Sequence, residues 1–300
     1  MNVFITGASG YIGGSVAQAL IRAGHRVRGL TRDDRTGALL AASGIEPVIG
    51  SIDDADLLAR EARAADGVIH TASADHAPSA LSLVDALSGS GKLLLHTSGS
   101  SIVADDAHGE RLSDHVIHED APLVVHPLKQ ARRDIDLAVL GAAAKGVRSV
   151  VICPGLVYGL GRGLKRDSVQ VPFLAANARQ RGVVEIVGSG RNVWSNVHLD
   201  DLVELYLLAF DRAPAGSFYF AENGEAAFSD VGAAIASRLG LPGVVSVPVD
   251  EAVRQWGEAR ARFSFGGNSR MRAARARREL GWAPHQASLL NWIAHELPVA

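Results

Sequence analysis

The sequence predicts an α/β fold: a parallel sheet covered by helices on both faces, with a smaller α/β cap toward the C-terminus. Three observations carry this. The first half alternates short, continuous apolar runs with segments of helical period. A glycine-rich turn joins the first run to the first helical segment. No repeat, low-complexity tract or proline-rich linker divides the chain, so the second part is expected to pack on the first. Strands buried on both faces read as unbroken apolar runs, and helices between them are the connections that parallel strands require.

Taken in order, residues 3–5 read as a strand. Ile12, Val16, Ala19, Leu20 and Ala23 fall on one helical face; Gly24 ends that helix and residues 25–30 make a second strand. Residues 45–49, 67–70, 93–96 and 147–152 read as further strands, with helices at 53–65, 78–87 and 128–144 between them. Beyond residue 155 the pattern is less regular. Helical period returns at 169–181, 199–210 and 227–239, with strands at 184–187 and 218–221.

With 300 residues, 47% of them apolar, the chain can bury a large core. Its net charge of -2 offers no global field for nucleic acid or an acidic membrane surface. No stretch approaches the roughly 20 apolar residues that span a bilayer. Met1 leads into the first strand without a basic n-region, and Cys153, the only cysteine, cannot form an internal disulfide. A cytoplasmic protein acting on a small molecule, as monomer or homodimer, is the expectation.

The turn Thr6-Gly7-Ala8-Ser9-Gly10-Tyr11-Ile12-Gly13 sits between a strand and a helix. Glycines at 7, 10 and 13 allow a tight turn, close approach to a pyrophosphate and close helix–strand packing, the fingerprint of a Rossmann-like dinucleotide site. The helix start supplies unpaired N–H groups and partial positive charge for the diphosphate. The second strand ends Gly29-Leu30-Thr31-Arg32, with Thr31 where an acid would bind the ribose 2′-hydroxyl of NAD. Arg32 follows and suits a 2′-phosphate. NADP(H) is therefore expected, with NAD(H) the alternative, since Asp33 and Asp34 stand next to that arginine.

The opening turn resembles that of the extended short-chain dehydrogenase/reductase superfamily, the NAD-dependent epimerase/dehydratase kind. Residues 65–72 (Ala-Asp-Gly-Val-Ile-His-Thr-Ala) are similar to its fourth strand, and 93–99 (Leu-Leu-Leu-His-Thr-Ser-Gly) to its fifth. Residues 151–159 are similar to its sixth strand and following loop. Val197-His198-Leu199-Asp200-Asp201-Leu202 matches its V-H-x-D-D-L signature, and residues 278–284 its C-terminal E-L-G-W-x-P. The resemblance implies a cofactor domain of residues 1–155 with a return segment at 186–212, and a substrate-binding cap of 156–185 and 213–300. It implies cofactor contacts by Gly7, Ser9, Gly10, Tyr11, Ile12 and Gly13 in the turn, and by Ser51, Ile52, Thr71, Ala72 and Ser73 beside the adenosine. Arg32, Arg132, Pro154 and Leu156 complete the set.

The sequence departs from that pattern where the chemistry lies. The family uses a Tyr-x-x-x-Lys pair, and none of Tyr11, Tyr158, Tyr206 and Tyr219 stands four residues before a lysine. The matching register places Leu128 at the tyrosine and Arg132 at the lysine. Ser51 stands where an aspartate is usual. Substitutes are at hand: Ser98 and Ser100 to hydrogen-bond a carbonyl, and Lys129 or His126 to move a proton; Ser98 and Lys129 are the expected catalytic pair. An NADP(H)-dependent oxidoreductase acting on a small carbonyl or alcohol is the leading expectation. A nucleotide-sugar epimerase or dehydratase and a non-catalytic redox sensor are the alternatives. His108, His115, His118 and His126 read as a polar loop at the substrate cleft rather than a metal site, Arg270 as a contact for a charged substrate, and Cys153 as an inert core thiol.

Overall fold

The computed structural model describes residues 1–299. The chain opens with β1 (Asn2–Thr6), α1 (Tyr11–Arg22), β2 (Arg26–Thr31), α2 (Asp34–Ala42), β3 (Glu46–Ile49), α3 (Ala55–Ala64), β4 (Gly67–His70), α4 (Ala77–Leu87) and β5 (Leu93–Thr97). A long loop carrying β6 (Ile117–His118) leads to α5 (Gln130–Gly141) and β7 (Arg148–Pro154). Then come β8 (Leu156–Tyr158), α6 (Gln170–Arg181), β9 (Val184–Val187), β10 (Val193–His198), α7 (Leu199–Arg212), β11 (Ser217–Ala221), β12 (Glu225–Ala227) and α8 (Phe228–Leu239). The chain ends with β13 (Val244–Val247), α9 (Val249–Trp256), a π-helical turn at Ala259–Phe265, β14 (Met271–Arg272), α10 (Ala274–Leu280) and α11 (Leu289–His295).

Seven strands form one parallel sheet in the order β11-β7-β5-β4-β1-β2-β3. The order reverses between β1 and β4, and the glycine turn sits at that switch point, where ligands of open α/β sheets bind. The expected Rossmann-like doubly wound fold is what forms. β1, β4 and β5 are buried on both faces, as their unbroken apolar runs require.

Two boundaries differ from expectation. The segment 213–300 is not all cap: β11, reading SFYFA, pairs in parallel with β7 and is the seventh strand of the large sheet. Its crossover is α7, which packs against α1, so the chain returns to the large sheet after β10. The helix expected from residue 128 begins at Gln130. Pro127 opens a 3-10 turn, with the His126 ring accepting from the Leu128 N–H, so Leu128 and Lys129 precede the helix and Leu128 is 61% exposed.

A second apolar core gathers Tyr158, Val171, Val184, Trp194, Ile235 and Trp292 from the later segments. A cleft lies where those segments meet the carboxyl ends of β5 and β7. No helix among the described residues is long and apolar enough to cross a membrane.

Candidate cofactor and substrate site

The turn after β1 is glycine-dependent at two points. Gly7 has φ +78°, and a Cβ there would lie 2.8 Å from the Ala72 nitrogen. A Cβ on Gly13 would collide with the Gly7 carbonyl and Thr71 Oγ1, so this third glycine serves packing. No side chain caps the N-terminus of α1, whereas α2 and α3 are capped by Asp33 and Asp54. The first N–H groups of α1 are thus left for an external anion, and a diphosphate fits them.

Beside the turn is a cavity of about 560 Å³. Gly7, Ser9, Gly10, Arg32, Thr71 and Ala72 line it, and so do Ser51 and Ile52. Asp33 accepts from Thr36 N and Oγ1, at 2.8 and 3.0 Å. Its carboxylate is held well below the usual carboxylate range by those two bonds, so it serves the helix start. The exposed Arg32 guanidinium is left on the rim. Sequence reasoning missed Asp53: it takes the Ser51 hydroxyl at 2.7 Å and the His76 ring at 3.1 Å, supplying a carboxylate two residues after the position where the family has one. Ser73 does not line the cavity; its hydroxyl accepts from Asp75 N within its own loop.

A second cavity of about 410 Å³ continues from Tyr11 and Ile12 past Pro154 into the cleft, with Lys129 and Arg132 on its wall. Arg132 Nε and Nη2 grip both oxygens of Asp75, at 2.7 and 2.5 Å, and Nη1 donates to Ser101 Oγ at 2.7 Å and to the Gly99 carbonyl at 3.4 Å. Four of its five N–H groups are therefore engaged. Lys129 Nζ lies 4.3 Å from the Phe263 ring centroid. Burial, and then repulsion from Arg132, bring its ammonium below the ordinary lysine range, with Asp75 opposing. Leu156 points the other way, into the second core, and its neighbour Val157 faces the cleft.

Ser98 is placed differently from expectation. Thr97 ends β5, and Ser98, whose N–H continues the ladder to the Ile152 carbonyl at 2.8 Å, points to the opposite face as successive extended residues do. Thr97 meets the Tyr206 hydroxyl at 2.6 Å, and Ser98 donates to Asp136 at 2.8 Å beneath the sheet. Ser98 does not reach the cleft. Ser100 is among the residues lining it: it is 3% exposed, its carbonyl takes the Ser269 hydroxyl at 2.9 Å, and its own hydroxyl is buried without a partner. All four tyrosine hydroxyls are held by protein groups, Tyr11 on the Gly159 carbonyl at 2.8 Å, Tyr158 on that of Ala287, Tyr206 on Thr97 and Tyr219 on Glu279.

The remaining sequence candidates fall outside the cleft. His108, His115, His118 and His126 do not line it; His126 stacks edge-on to Phe263 and pairs with Asp106. Arg270 grips Glu225 through two bonds of 3.1 and 2.6 Å. Cys153 is fully buried, which pushes its thiol well up. His198 caps α7, and Asp201 accepts from His285 N and Gln286 N, pinning the C-terminal segment. Trp194 and Phe263, which wall the cleft, carried no sequence signal.

A glycine turn at the switch point, an uncapped helix start and a cleft at the strand ends define a dinucleotide-binding Rossmann protein. Residues 3–219 match the family model for the NAD dependent epimerase/dehydratase family. The chain belongs to that family. It is 30% identical to an uncharacterized protein of Schizosaccharomyces pombe, over 99% of each chain. It is 25% identical to a 4-hydroxy-2-methyl-3-oxo-4-farnesyl-3,4-dihydroquinoline-1-oxide ketoreductase of Stigmatella aurantiaca, over 75% of this chain and 69% of that one. Among solved structures, a dTDP-glucose 4,6-dehydratase of Streptomyces venezuelae with NAD and TYD bound superposes with a TM-score of 0.78 at 21% identity, covering 98% of this chain and 95% of that one.

Proposed function

We propose that the protein is an NADP(H)-preferring oxidoreductase that interconverts a small carbonyl and its alcohol without the usual Tyr-x-x-x-Lys pair. One observation carries the reading: the cavity beside the glycine turn and the cleft lie on either side of residues 10 and 11, and Lys129 and Ser100, whose hydroxyl has no partner, both line the cleft. The ketoreductase relative supports the reaction class.

The α1 N-terminus and Ser9 would hold the diphosphate, Arg32 the 2′-phosphate, and the Asp75–Arg132 pair the ribose next to the nicotinamide. When bound, the nicotinamide supplies or accepts hydride; the chain supplies orientation and the proton. Ser100 donates a hydrogen bond to the substrate carbonyl and Lys129 delivers the proton to that oxygen, helped by its lowered ammonium pKa. Ser98 tethers Asp136 and stands outside this chemistry.

The held tyrosines favour one second reading, a non-catalytic sensor that binds dinucleotide and reports it. Calorimetric titration with NADPH and NADH, followed by turnover with a panel of aldehydes and ketones, separates the two. Tight NADPH binding with turnover is expected, and Arg32→Asp is expected to shift preference toward NADH by about tenfold or more, as loss of a charge-assisted bond implies. Binding without turnover of any carbonyl favours the sensor, and no binding of either nucleotide overturns both.

A further inference from the structure

We infer that the cleft takes a neutral carbonyl compound with an apolar body and rejects nucleotide-linked sugars; the inference rests on the oxidoreductase reading above. The charges come first. Asp75, Lys129 and Arg132 are the charged residues lining the cleft among those described, and Asp75 neutralises Arg132 through a two-bond grip. Lys129 is the single cation left over, and the proton transfer uses it.

Arginines of the C-terminal segments, where a diphosphate would need its partners, are committed elsewhere. Arg270 and Arg272 share Glu225. Arg277 pairs with the buried Glu222, and Arg262 lies against His108, Asp250 and Glu258. The Arg260 guanidinium lies 4.5 Å from the Phe173 ring centroid, away from the cleft. Freeing Arg270 for a phosphate would leave Glu225 unpaired in a partly buried position, a cost that a bound anion must first offset.

The walls point the same way. Tyr11 and Trp194 line the cleft, and each has its polar tip tied to backbone: the Tyr11 hydroxyl to Gly159, the Trp194 N–H to the Gly267 carbonyl at 2.9 Å. They offer ring surface and no hydrogen bonds. Phe263 stands on the π-helical turn, its ring centroid 5.0 Å from that of His126 and 4.3 Å from the Lys129 ammonium. Three fixed aromatic residues and Val157 share the lining with neutral polar groups (Ser101, Ser168, Gln170 and Ser264), which suits a neutral ligand with a flat or alkyl body. The cleft of about 410 Å³ also has to admit the nicotinamide, so little room remains for a nucleotide.

In the reducing direction the nicotinamide would supply a hydride, one proton with its two electrons, to the carbonyl carbon. The carbonyl π pair moves to oxygen, which takes a proton from the Lys129 ammonium; the products are the alcohol and oxidised nicotinamide, and solvent reprotonates Lys129.

The test measures NADPH oxidation with benzaldehyde, acetophenone and menadione, with phenylpyruvate as an anionic match. UDP-glucose and dTDP-glucose are followed by calorimetry and by product chromatography. Expected is kcat/KM for at least one neutral compound more than tenfold above phenylpyruvate, with no binding of either nucleotide sugar. Phe263→Leu is expected to raise KM for benzaldehyde several-fold while leaving NADPH affinity in place. Because Phe263 is buried, Ala259→Trp on the exposed rim is the second variant, expected to shift preference toward smaller aldehydes. Binding of a nucleotide sugar without its conversion, or preference for phenylpyruvate, overturns the substrate class while the oxidoreductase reading stands; conversion of a nucleotide sugar overturns both. NADPH binding with no carbonyl turned over overturns both.

Discussion

Asp136 links the stability of the fold to pH and can be isolated by one substitution. It is fully buried on α5, where one oxygen accepts from Ser98 at 2.8 Å. The other has no hydrogen-bond partner and lies 3.9 Å from His96 Nε2. Burial, opposed by the Ser98 bond and by Arg133 and Arg132, pushes its carboxyl from 3.8 up to about 6. Between those values the unfolded chain has lost the proton that the folded chain keeps, so Asp136 makes stability fall as pH rises. A shift of this size is worth about 3 kcal/mol at neutral pH, as an upper bound. His70 and His96, stacked at 5.2 Å, act in the opposite sense. Burial holds them down to about 4 and about 3, so both stay neutral in the fold and protonate first on unfolding. Below about pH 6.5 their contribution is progressively lost. Two histidines against one aspartate leave a net uptake of about one proton on unfolding near pH 5, and stability rises with pH there by about 1.4 kcal/mol per unit. Asp136→Asn keeps the acceptor for Ser98, turns an amide toward the unpartnered His96 ring and removes the opposing titration. Urea unfolding at several values from about pH 4 to pH 7 is the assay. The variant should match the native protein at the acid end, gain up to about 3 kcal/mol at the neutral end, and show about twice the pH slope. A stability difference that stays constant with pH would refute this account of the buried acid.

Lys129→Met keeps the stem over Phe263 and removes the ammonium; kcat for carbonyl reduction should fall about 10²-fold or more with NADPH affinity little changed. The loss of rate at alkaline pH should then disappear with it, which stopped-flow rates across pH will read. Asp201→Ala deletes a buried carboxylate that accepts two backbone N–H groups, from His285 and Gln286. About 3 kcal/mol of stability should go with it, seen as a lowered Tm, because those donors lose a charged partner.

The cofactor half of the molecule was legible because its constraints are local. A glycine at 7 answers a positive φ, and a glycine at 13 answers contact with Thr71; both demands arise within one strand-turn-helix unit. The helix α2 escaped notice because Gly37, which lets it approach Ile49 and Pro47 of β3, also breaks its apolar pattern. In the reaction cleft the deciding facts were non-local. Ser98 and Ser100 look alike in sequence, and only the face on which β5 ends separates the buried one from the one in the cleft. Asp75, Trp194 and Phe263 come from three distant segments and meet through packing that no spacing encodes. The pairing of Arg270 was hidden for the same reason: its partner Glu225 is 45 residues away.

Arg132, where the resemblance places a lysine, stands in one constellation with Asp75, Ser101 and Gly99, and this bears on whether the site is working or decayed. A Cβ on residue 99 would stand 2.7 Å from Arg132 Nη1, so the guanidinium packs closely on Gly99. A lysine at 132, with one compact ammonium, could not grip both Asp75 oxygens and also reach Ser101 and the Gly99 carbonyl. Arginine at 132 and acid at 75 therefore go together. Loss of function by drift leaves buried polar groups unpaired at random, because nothing selects their partners. Here four of the arginine's five donors are satisfied, while the unpartnered Ser100 and Ser168 hydroxyls and the Lys129 ammonium belong to residues lining the cleft. An ordered guanidinium beside a cleft is what the proposed turnover would require.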